Sequence, residues 1–134
     1  LSIWYHFHGA FTHFPIALAI ASFAFDFAAA AFRKPSLRAA GLWTLLLAAL
    51  AVVPAVATGF FTANVDYAGM TAVNIHRNVS IGGGALLLVL ALWRGLRRDD
   101  MSRRAFIAYL VGVLMAAGAV GLTGWLGNRV LSGG

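Results

Sequence analysis

Apolar residues fall in four long runs separated by short polar links, and each run is the length of a membrane span. The first predicted span covers residues 9–32 and contains FTHFPIALAIASFAF; the second covers 39–62, the third 75–94 and the fourth 105–130. A hydrocarbon core about 30 Å thick takes roughly 20 apolar residues of helix. Four such spans with short links use nearly the whole chain, so residues 1–134 are expected to form a single all-α, integral membrane four-helix bundle. The first run is expected to be a span and no signal peptide, since no basic region precedes it and positive charge follows it. Pro15 falls near the first turn of its helix, where a missing N–H costs little. Pro54 lies inside the second span and predicts a kink. A link of about a dozen residues, ANVDYAGMTAVN, is expected between the second and third spans.

Composition places the chain in lipid: 61% of its residues are hydrophobic and 10% are charged, well outside the usage of water-soluble domains. The net charge of +6 raises the question of nucleic acid. The basic residues sit between spans and form no stripe with interleaved aromatics, so no nucleic-acid partner is expected. Their distribution predicts orientation instead. Arg33, Lys34, Arg38, Arg94, Arg97, Arg98, Arg103 and Arg104 fall on one side, and Arg77 and Arg129 on the other. The positive-inside rule assigns the richer side to the cytoplasm. Both termini then lie on the non-cytoplasmic side, together with all four histidines, His6, His8, His13 and His76.

The chain has no cysteine, which excludes thiolate metal sites, Cys-ligated clusters and covalently attached haem. Histidine is left as the candidate ligand. The helical face below His13 continues through Ala17, Ile20 and Ala24 and that below His76 through Ser80, Gly83 and Leu87, with small residues just beneath both histidines. If these faces meet across the bundle, a flat cofactor fits between one imidazole on each side. The expected cofactor is haem b, with His13 and His76 as the metal ligands, His8 as an alternate, Gly83 clearing space and Arg77 pairing with a propionate. His6-Phe7-His8 offers a weaker metal-binding pattern. With no histidine at the opposite face, electron exchange is expected at the outer surface and not across the membrane. The alternative is a cofactor-free structural or assembly subunit of a larger respiratory or photosynthetic complex.

Other polar residues add little chemistry. Asp26 is expected to pair with Arg38 or Arg94, because an unpaired carboxylate is costly in a span, and Asp66 to be solvated or paired with Arg77 or Arg129. Gly112, Gly118, Gly121, Gly124 and Gly127 are expected to let helices pack closely. No Ser/His/Asp set or paired carboxylates emerge, so an electron-transfer or accessory subunit is expected over an enzyme. A transporter would need a polar path, for which few residues beyond Asp26, Thr58 and Ser80 are available.

Several strings then resemble a known family. HGAFTHFPIALAIASFAFD, GFFTANVDY, IHRN and GLTGWLGNRV are similar, in this order, to domain of unknown function 2231, a group of four-helix bacterial membrane proteins. The most specific pieces are His13-Phe14-Pro15 and Gly124-Trp125-Leu126-Gly127. The resemblance carries His8, His13 and His76 as motif histidines. Some relatives are fused to Rieske-type domains, which implies a link to electron transfer and a redox partner or complex. The chain departs from the family in having Gly9 after the first histidine and no acidic or histidine residues in the tail from Asn128 to Gly134.

Overall fold

The computed structural model describes residues 1–131, which form four helices: α1 (Ile3–Phe32), α2 (Pro35–Asp66), α3 (Thr71–Arg97) and α4 (Arg103–Leu131). All four are long and apolar enough to cross a membrane. Such helices satisfy their own backbone hydrogen bonds, which is the condition for entering lipid. Each helix outruns its predicted span, because helical structure continues through the polar residues of the interface. α1 begins at Ile3 and so carries His6 and His8 as well as His13. α2 continues to Asp66, leaving residues 67–70 as the link in place of the expected dozen. The α2 helix also runs unbroken through Pro54.

α1 packs on α2 and α4, and α3 packs on α4 and α2, so the helices form a closed ring of four. The ring has an internal repeat. α1 and α3 start at residues 3 and 71, and α2 and α4 at 35 and 103, a constant offset of 68 positions. Buried positions recur at the same offset: Ala19 and Leu87, Ser22 and Leu90, Asp26 and Arg94, Leu45 and Val113, Ala48 and Ala116, Val52 and Val120. The α1–α2 hairpin and the α3–α4 hairpin therefore correspond position by position around the central axis of the bundle, with α1 and α2 packed together more extensively than α3 and α4. Where a residue touches its own equivalent, it lies at that axis. His8 and His76, Asp26 and Arg94, and Arg38 and Phe106 are such pairs.

The Asp26–Arg94 contact anchors the basic end. Both side chains are fully buried, with Arg94 Nη2 3.5 Å from Asp26 Oδ1. Tyr109 Oη donates to Asp26 Oδ2 at 2.6 Å. The Arg94 guanidinium also donates to the backbone carbonyls of Arg98 and Arg38, so all four helices meet at the pair. Asp26 thus finds Arg94, one of its two expected partners. Gly41 makes the arrangement possible, since a Cβ there would overlap the Asp26 carboxylate. At the other end, Asp66 is held by Ser2, whose backbone N–H and hydroxyl donate to it at 2.9 and 2.6 Å.

The glycines of α4 divide by environment. Gly112 meets Leu90 and Gly124 meets Ile16, whereas Gly118 and Gly121 face open space, so only part of the expected packing stripe faces other helices. Tyr109→Phe removes one hydrogen bond to the buried carboxylate and is expected to cost about 1–3 kcal/mol, whereas Gly41→Ala should cost more because the carboxylate must move. Thermal unfolding of the detergent-solubilised variants checks the order.

Candidate functional site

At the end opposite the Asp26–Arg94 pair, the four helices part around a largely apolar cavity of about 630 Å³. This is within the range of roughly 300–1,000 Å³ usual for organic ligands and cofactors. His8, His13 and His76 line it, with Tyr5, Arg77 and Ser80 among the polar residues of its wall. His6 is exposed and does not line it.

The early start of α1 decides which histidines meet. His8 of α1 and His76 of α3 face each other with ring centroids 6.2 Å apart and planes at 89°. His13, five residues along α1, is rotated about 140° from His8 by helical geometry. It remains exposed on the cavity wall, so the structure pairs His8, and not His13, with His76.

Each imidazole is seated against the second helix of its own hairpin. His8 Nδ1 lies 3.0 Å from the Ala55 carbonyl on α2, which fixes its tautomer as Nδ1–H and leaves Nε2 free of that bond. The Thr58 hydroxyl lies 3.4 Å from the same nitrogen. A Cβ at Gly59 would come within 2.7 Å of His8 Cε1, so glycine is what lets the ring lie against α2. The arrangement recurs in the other hairpin. A Cβ at Gly127 would come within 3.2 Å of His76 Cε1. The His76 ring approaches the Thr123 backbone carbonyl, but its buried Nδ1 closes no hydrogen bond to any of the described residues. Histidine, carbonyl and glycine keep the 68-residue offset in every case: His8 and His76, Ala55 and Thr123, Gly59 and Gly127.

The family model for a predicted membrane protein, DUF2231, matches residues 6–132. The chain belongs to this family. No curated protein and no solved structure matches it. Within this DUF2231 chain, the remaining site candidates take different places. Arg77 is on the cavity wall. Gly83 is buried against α4, where a Cβ would lie 3.1 Å from Ala119 Cβ and 3.3 Å from Val120 Cγ1, so it serves helix packing and does not line the cavity. Its neighbour Gly84 lines the cavity and approaches Val52 of α2.

Sequence reasoning missed Gly59 and the Ala55 carbonyl, and singled out Gly127 for helix packing without linking it to His76. The available signal was the recurrence of histidine and glycine at one fixed offset. Gly59→Ala should push the His8 ring off the Ala55 carbonyl at a cost of about 1–2 kcal/mol, while Gly127→Ala should disturb His76 less. Imidazole ¹⁵N chemical shifts, which report ring hydrogen bonding, measure both effects.

Proposed function

We propose that this membrane protein binds one b-type haem in the histidine-lined cavity, with His8 and His76 as axial ligands, and acts in electron transfer. The observation that carries the reading is the separation of the two rings. An imidazole nitrogen binds a first-row metal at about 2.0–2.1 Å and lies ~1 Å from its ring centre, so imidazoles on opposite sides of one ion have centroids roughly 6 Å apart. His8 and His76 stand at 6.2 Å.

The seating of the rings supports the same reading. Metal-bound histidines usually donate their second N–H to a carbonyl or carboxylate, which orients the ring and raises its basicity. Ala55 offers such a carbonyl to His8, and the Thr123 carbonyl lies near His76 at the equivalent position, where the buried Nδ1 closes no hydrogen bond to the described residues. The apolar wall would shield a macrocycle, and Arg77 at the wall would attract a propionate. A haem held by two histidines supplies one-electron transfer. In this arrangement His13 is not an axial ligand.

Orientation follows from charge. The eight basic residues of the richer side cluster at the Asp26–Arg94 end, which the positive-inside rule assigns to the cytoplasm of a bacterial inner membrane. The haem then lies near the periplasmic face, as do both termini. All four histidines of the chain belong to that end, so none is available to ligate a second haem near the cytoplasm. Electrons are therefore exchanged with a partner, or within a redox complex, on the outer side.

The purified protein should show a Soret band and a reduced α band. His8→Ala and His76→Ala should each abolish the native spectrum, and His13→Ala should retain it. A colourless wild-type protein that is folded and was produced with adequate haem supply would sink the proposal. Its recovery only with a larger complex would then favour the structural-subunit alternative.

A further inference from the structure

The equivalence of the two hairpins raises the question of why one half pairs with the other and not with its own kind in a second copy. Like hairpins share the same helix lengths and the same pattern of buried positions, so a second chain could in principle offer each half a matching surface. We infer that the contrast between equivalent residues at the axis is an interaction code that makes unlike halves pair and rejects like ones. Asp26 and Arg94 are its central element.

Charge provides the first part of the code. Asp26 and Arg94 occupy equivalent positions and meet at 3.5 Å with neither side chain exposed. Two α1–α2 hairpins paired about the same axis would place Asp26 against Asp26 of the second copy. Two α3–α4 hairpins would bury Arg94 against Arg94. Like charges so placed in a water-excluded interior strongly disfavour the assembly. Arg38 and Phe106 repeat the contrast, with the guanidinium 4.4 Å from the ring centre of its own equivalent. Pairing of like halves would leave two guanidinium groups together in one product and lose the cation–π contact in both.

Volume provides the second part, independently of charge. The buried equivalents differ in size in both directions: Leu87 is larger than Ala19 and Leu90 than Ser22, whereas Leu45 is larger than Val113. Pairing of like halves would set small residue against small in some core layers, which underfills them, and large against large in others, which overfills them. Both errors are penalised in close-packed interiors.

The inference does not rest on the haem proposal, because it concerns which hairpins pair. Its test uses full-length chains with two different affinity tags. Asp26→Arg alone and Arg94→Asp alone each create a buried like-charge pair, and each should lower the accumulation of folded protein by roughly tenfold or more. The double variant Asp26→Arg/Arg94→Asp restores opposite charges within one chain and should recover folded monomer. Co-expression of the two single variants is the decisive arm. Exchange of halves then sets the introduced arginine of one chain against the introduced aspartate of the other in one bundle. The second bundle brings together the two native residues, Asp26 from one chain and Arg94 from the other. Both chains should be rescued as a one-to-one heterodimer, in which each tag retrieves the other. Single variants that accumulate like wild type, a double variant that is not recovered, or co-expressed variants that stay unrescued would each overturn the inference. Haem content plays no part in the readout, so a colourless protein leaves this test intact.

Discussion

A carboxylate and a guanidinium that have left water must neutralise each other, and the rest of this bundle is arranged around one such neutralisation. Asp26 and Arg94 have no exposed surface. Their pairing becomes tolerable because Tyr109 donates to the carboxylate and backbone carbonyls at the ends of α2 and α3 accept from the guanidinium. Each accessory contact imposes a condition on sequence. Position 41 must lack a side chain, position 109 must reach across with a hydroxyl, and Arg38 and Arg98 must present carbonyls. In a membrane, where apolar side chains gain little by leaving lipid for one another, such polar contacts and close packing carry the association of helices.

The two ends of the bundle solve opposite problems with the same geometry. At the basic end the equivalent residues at the axis are complementary, and they close the core. At the other end they are identical, and the helices stand apart around a cavity. Two histidines cannot neutralise each other as Asp26 and Arg94 do. Each is instead seated against its own hairpin, beside a backbone carbonyl and over a glycine. The rings meet at right angles with centroids 6.2 Å apart.

Much of this architecture was legible in the sequence because lipid imposes a simple rule: about twenty apolar residues, then a polar break. The spans, their number and the need of Asp26 for a basic partner, Arg38 or Arg94, follow from that rule and from the cost of an unpaired charge; the choice of Arg94 does not. The identity of the facing histidines does not. His8 and His13 lie five residues apart, and choosing between them depends on where α1 begins, which is fixed by an interfacial segment with no strong apolar period. Gly83 read as a cavity residue because three consecutive glycines carry no phase, and packing against Ala119 settles its place. The repeat was hidden for a related reason. At the basic end the equivalent positions have diverged, so Asp26 and Arg94, or Gly41 and Tyr109, are equivalent in structure and unlike as letters.

The distance between the ion pair and the cavity has a mechanical consequence. From Asp26 to His8 there are 18 residues of continuous α1, about 27 Å of helix. His76 and Arg94 are separated by the same number of residues along α3. Each imidazole therefore sits at the tip of a long arm whose other end is pinned at the axis. A change of about two degrees in the angle between the arms would shift the imidazoles relative to each other by roughly 1 Å, against a ring separation of 6.2 Å. The Ser2–Asp66 clasp ties the tip of α1 to the end of α2, so that arm is braced at both ends. Met70 stands at the position equivalent to Ser2, and its side chain has no hydroxyl to donate. The tip of α3 is tied instead by the chain itself, through the short link, residues 67–70, that joins it to the end of α2.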